Sequence, residues 1–147
     1  MPIAEAFNYH RISDQIATSG QPTAAQLRHL AQEGFVAVVN LLPVESKNAL
    51  PEERSIIEEQ GLEYHHIPVD FDDPTEDDFH IFAHTLDQLG DKKVLIHCAA
   101  NYRVSTFYAL YAVHNLQWPE GEALQLIEAV WDPIAYPPWD QFIEELI

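Results

Sequence analysis

Positive charge is what this chain has least of. Seven lysines and arginines stand against 24 aspartates and glutamates in 147 residues, a formal net charge of −17. Nucleic acid and anionic membranes are poor partners for such a surface. The shortage is uneven along the chain. Arg103 is the last lysine or arginine, and every carboxylate-or-cation position after it is acidic. An anion held in this region depends on Arg103 and on backbone dipoles. Cysteine is nearly absent too. A single one, Cys98, excludes an internal disulfide framework and suits a reducing, cytoplasmic setting. No apolar run approaches the roughly 20 residues of a bilayer-spanning helix. Residues 1–10 lack a basic segment followed by an apolar one, so no secretory signal is expected. Internal repeats, linkers and low-complexity tracts are missing as well.

What is present reads as a single domain over residues 1–147, with enough apolar content (47%) to bury a core. Residues 11–18 read as a short edge strand, followed by the turn Ser19-Gly20-Gln21-Pro22. Thr23 with Gln26 forms a capping box for a helix that Gly34 closes. Residues 35–42 are almost wholly apolar, as a strand covered on both faces must be. Pro51 opens a charged helix ended by Gly61. A strand over 62–68 leads into the acidic loop Val69-Asp70-Phe71-Asp72-Asp73-Pro74. Thr75 then caps a helix with the apolar stripe Phe79, Phe82, Leu86 and Leu89. Residues 92–97 form a strand, 104–116 a helix, 119–131 another, and a last short helix covers about 139–147. Strands alternating with helices predict an α/β three-layer sandwich, a mostly parallel central sheet with helices on both faces. Ligands sit at the carboxyl ends of strands in such sheets, where the Cys98 and Asp70 loops both emerge.

The organising stretch is Val94-Leu95-Ile96-His97-Cys98-Ala99-Ala100-Asn101-Tyr102-Arg103-Val104-Ser105. It is a buried strand, a tight loop and a helix, with a thiol at the strand's end and a guanidinium at the helix's start. Loop amides and the positive end of the helix dipole converge there, a setting made for anions. Only the charged form of a thiol gains from that field, so Cys98 is expected to ionise readily.

These residues resemble the active-site loop of the cysteine-dependent tyrosine and dual-specificity phosphatases. The segments Ala-Thr-Ser-Gly-Gln-Pro-Thr, Val-Val-Asn-Leu, Ile-Pro-Val-Asp and Asn-Tyr-Arg-Val-Ser resemble its bacterial beta-lactamase-hydrolase-like branch. The resemblance implies a cysteine-phosphatase fold and hydrolysis of phosphomonoesters through a thiophosphate intermediate. It implies no cofactor or metal, and a phosphorylated small molecule or phosphoprotein as substrate. Cys98 then takes the role of nucleophile, Arg103 of phosphate clamp and Asp70 of general acid on a mobile loop, with Asp72 and Asp73 as rival acids. His97, Ala99, Ala100, Asn101, Tyr102, Val104 and Ser105 make up the phosphate-binding loop, His97 orienting it through a backbone carbonyl and Ser105 bonding the thiolate.

Four residues separate Cys98 from Arg103, where the wider family has five. Aligned on the arginine, the loop is one residue short. Aligned without a gap, Asn101 takes the family's glycine and Ser105 its serine, while Val104 falls where the clamping arginine stands. The ungapped register is preferred, since asparagine tolerates positive φ. Two alternatives carry other functions: a sulfurtransferase bearing a persulfide on Cys98, and a phosphate- or phosphoprotein-binding module without turnover. His80 and His84, four apart on one helix face, read as surface residues rather than metal ligands. Trp118, Trp131 and Trp139 read as core.

Overall fold

The computed structural model describes residues 2–147. Its strands are β1 (His10–Arg11), β2 (Ile16–Ser19), β3 (Ala37–Asn40), β4 (Glu63–His66) and β5 (Val94–His97). They form one sheet in the order β1-β2-β5-β3-β4. Only β1 runs antiparallel to its neighbour; β2, β5, β3 and β4 are mutually parallel. The expected sandwich is thus the observed one. The segment over 11–18 is different. It is a hairpin rather than one edge strand, because Ser13 Oγ accepts from the amides of Gln15 and Ile16 and turns the chain. Its second arm, β2, lies inside the sheet against β5.

The helices are α1 (Ala24–Leu27), α2 (Glu53–Glu59), α3 (Glu76–Leu89), α4 (Tyr102–Asn115), α5 (Glu120–Val130) and α6 (Pro137–Leu146). The Thr23–Gln26 capping box opens α1, and Thr75 Oγ1 accepts from the Asp78 amide to open α3. The last helix starts earlier than its apolar spacing suggests, because Pro137 and Pro138 occupy its first positions, where a missing N–H costs nothing.

Side-chain alternation along the strands divides the core in two. Ala37, Val39, Val94 and Ile96 pack with α3, α4, α5 and α6. Val38, Leu95 and Ala17 face the other way, against α1 and α2. Helix α4 lies deepest, with Val104 through Ala112 all buried. Parallel pairing brings the carboxyl ends of β2, β5, β3 and β4 to one rim. Among the described residues no helix is long and apolar enough to cross a membrane.

Candidate active site

At that rim β5 hands His97 to the loop that leads into α4. Asn101 carries the turn at φ 70°, the left-handed region that asparagine enters more readily than most residues. The carbonyls of this loop are all spoken for. His97 Nδ1 lies 3.2 Å from the Cys98 carbonyl, the Gln21 amide donates to the Ala99 carbonyl at 2.9 Å, and Asn8 Nδ2 donates to the Ala100 carbonyl at 2.8 Å. Each trans peptide aims its N–H opposite to its C=O. Fixing the carbonyls of Cys98 and Ala99 therefore turns the amides of Ala99 and Ala100 away from those donors. No acceptor among the described residues takes the amides of Ala99, Ala100, Tyr102, Arg103 or Val104. The start of α4 has no side-chain cap, so its first-turn donors stay open.

The neighbouring segment fits this loop through close backbone approach. A Cβ on Gly20 would sit 2.5 Å from the Ala99 carbonyl oxygen, so only glycine lets residues 20–21 lie against the loop. Asn101 is anchored from below, its Nδ2 donating to the Asn8 carbonyl and to Thr18 Oγ1.

Arg103 faces outward into a cavity of about 430 Å³ that it shares with Asp70, Phe71, Asp72, Glu45 and Ser46. Its guanidinium carbon stands 5.1 Å from the Phe71 ring centre. It makes no ion pair among the described residues, and its Nε is buried without a partner. Asp70 and Asp72 both reach this cavity and are exposed, whereas Asp73 does not line it. Cys98 is wholly buried at the strand's end and does not line the cavity.

One participant escapes a reading of the sequence. Glu53, 2% exposed, places Oε2 2.6 Å from His97 Nε2, and Gln21 Nε2 donates to its Oε1 at 2.8 Å. The carboxylate oxygen and the Cys98 carbonyl oxygen thus face the two ring nitrogens of His97. Burial pushes the Glu53 carboxyl up, but the His97 charge and the bonds from His97, Gln21 and Tyr64 outweigh it. The net position is below the ordinary glutamate range. The signal was there in the spacing: Glu53, Ile56 and Ile57 make the buried side of α2.

The mostly parallel sheet thus carries, after its central strand, a loop with open amides beside an outward arginine and two exposed aspartates. The sequence profile of the Tc-R-P family, the DSP-PTPase phosphatase of polymorphic toxin systems, matches residues 15–117. The chain belongs to this family. A beta-lactamase hydrolase-like protein of Xylella fastidiosa is 30% identical to it over 118 residues, 77% of this chain and 27% of the relative. The chain spans about a quarter of the length of such curated relatives. The crystal structure of a putative phosphatase (DUF442) from Shewanella putrefaciens superposes with a TM-score of 0.88 at 35% identity, covering 96% of this chain and 89% of that one. P. aeruginosa TpbA, 18% identical, shares the fold with a TM-score of 0.76 over 95% of this chain and 84% of its own.

Within this DSP-PTPase domain two expectations need correction. Val104 is not at the mouth of the loop: its side chain has no exposure and sits in the core with Cys98 and Phe107. Arg103, one position earlier on α4, is the residue that meets the cavity, as the arginine-anchored register requires. Ser105 does not bond the thiol, because its Oγ donates to the Tyr102 carbonyl at 3.1 Å. The ring of Tyr102 is also turned away from the loop, stacked on Trp131 at 4.6 Å. His80 and His84 are exposed on α3, and Trp131 and Trp139 are core residues.

Two outcomes follow from these placements. Val104→Arg forces a charge among apolar side chains, and its cost is about 3 kcal/mol or more with no gain in any phosphatase activity. A fully stable, more active variant in urea unfolding and turnover assays would restore the ungapped register. Glu53→Gln loses about 3 kcal/mol at pH 7, since it breaks a buried pair. The folded carboxyl is depressed, so its contribution is complete above the ordinary value of 4.5 and fades as pH falls through the lower folded value. Urea midpoints of variant and parent should therefore draw together as pH falls below the ordinary value; a gap of the same size at every pH contradicts the pairing.

Proposed function

We propose that this phosphatase-family domain hydrolyses phosphate monoesters with Cys98 as nucleophile. The sulfur attacks phosphorus in line and a thiophosphate forms as the ester oxygen leaves. Asp70 gives that oxygen its proton and then takes one from the water that releases phosphate. Arg103 pairs its planar fork with two phosphate oxygens, and the amides of Ala99, Ala100, Tyr102, Arg103 and Val104 hold the rest of the charge. His97 fixes the Cys98 carbonyl and Asn101 makes the turn.

The observation that carries this reading is the shared cavity of Arg103 and Asp70 beside a loop with open amides. One guanidinium among the carboxylates of Glu45, Asp70 and Asp72 suits a single phosphate on a neutral or cationic carrier better than a polyanion. The matching family and solved relatives are phosphatases, which leaves the sulfurtransferase alternative without support. The enclosure of Cys98 favours a second reading, a phosphate-binding domain without turnover.

Hydrolysis of p-nitrophenyl phosphate separates the two. The first reading expects turnover inhibited by vanadate, lost on Cys98→Ser and lowered about 100-fold or more on Arg103→Lys. Turnover indifferent to Cys98→Ser removes the mechanism, and phosphate binding without turnover selects the second reading.

A further inference from the structure

The acid-bearing loop is held from outside the matched family segment. That segment ends at residue 117, before α5 and α6 begin. From α6, Trp139, fully buried, donates its indole N–H to the Phe71 carbonyl at 2.7 Å. Phe71 lies between Asp70 and Asp72, the two aspartates that line the cavity. Its ring sits 5.3 Å from Tyr136, 5.7 Å from Trp139 and 5.9 Å from Trp131, all contributed by the chain after residue 117. The Arg103 guanidinium carbon stands 5.1 Å from the centre of the same ring. Asp70 is also folded into its own turn, its Oδ1 accepting from the Asp72 amide and its carbonyl from the Asp73 amide.

One residue thus joins the candidate acid to the candidate phosphate clamp, and one helix pins that residue by its backbone. We infer that Trp139 is a positioning residue: through Phe71 it holds the Asp70 loop over Arg103, so that the C-terminal helix sets where the proton donor stands. The inference rests on the phosphatase reading and adds to it. A loop fixed by a buried indole and an aromatic cluster is pre-organised, not swung into place by substrate.

The test uses two esters. Phenyl phosphate expels a poor leaving group that needs a proton, whereas p-nitrophenyl phosphate expels one that barely does. Trp139→Phe keeps an aromatic ring in the core and removes the N–H. Its expected effect is a fall of about tenfold or more in kcat for phenyl phosphate, with less than a threefold change for p-nitrophenyl phosphate. Amide exchange at Asp72 and Asp73 should quicken in the same variant. Tyr136→Leu, which removes the 5.3 Å ring contact on Phe71 from an exposed position outside the cavity, should give the same selective loss if Trp139→Phe does not fold. Equal losses on both esters, or no loss on either, overturn the positioning role while leaving the phosphatase reading intact. Parent protein that hydrolyses neither ester overturns both; unchanged amide exchange refutes the pinning on its own.

Discussion

The site depends on where the loop carbonyls go. Peptide units are rigid, so a carbonyl drawn to a fixed donor commits the amide of the next residue to the opposite side. Three donors from three separate parts of the chain (His97, Gln21 and Asn8) take the carbonyls of Cys98, Ala99 and Ala100. Each donor is itself anchored. Glu53 holds His97, the close approach at Gly20 seats Gln21, and Asn8 exchanges bonds with Asn101 and the loop. Open backbone donors at a loop and a helix start are a setting that favours an anion, and this is the basis of the proposed phosphate site.

This solution suits a chain so short of cations. Backbone amides and a helix N-terminus provide positive potential without lysine or arginine. On the proposed reading Arg103 shares the phosphate with those amides, and it makes no ion pair among the described residues. The buried Glu53–His97 pair adds no net charge while it locks the ring. Such pairs often give little stability for their desolvation cost, so their value lies in fixing one geometry.

Much of this was legible in the residues. Strand–helix alternation led to the correct sandwich, the Thr23 and Thr75 caps stood where the helices begin, and Asn101 enters the left-handed turn that its chemistry permits. The register at Arg103 was not legible, because an α-helix turns about 100° per residue and one place decides between cavity and core. Spacing alone left open whether position 103 or position 104 meets the mouth of the loop. Residues 11–18 failed for a local reason, a Ser13 side-chain turn that pattern matching treats as strand. Glu53 is set apart from the other acidic residues of α2 only by its spacing from Ile56 and Ile57, and the Trp139–Phe71 bond joins positions 68 apart, beyond any local pattern.

The claim on which the account stands is that the Cys98 loop and Arg103 together form an oxyanion cradle. Calorimetric titration with tungstate tests it without turnover. The account predicts saturable binding at one site, retained in Cys98→Ser because the amides are unchanged and weakened at least tenfold in Arg103→Ala. Absence of binding in the parent protein, or binding indifferent to Arg103→Ala, would contradict it.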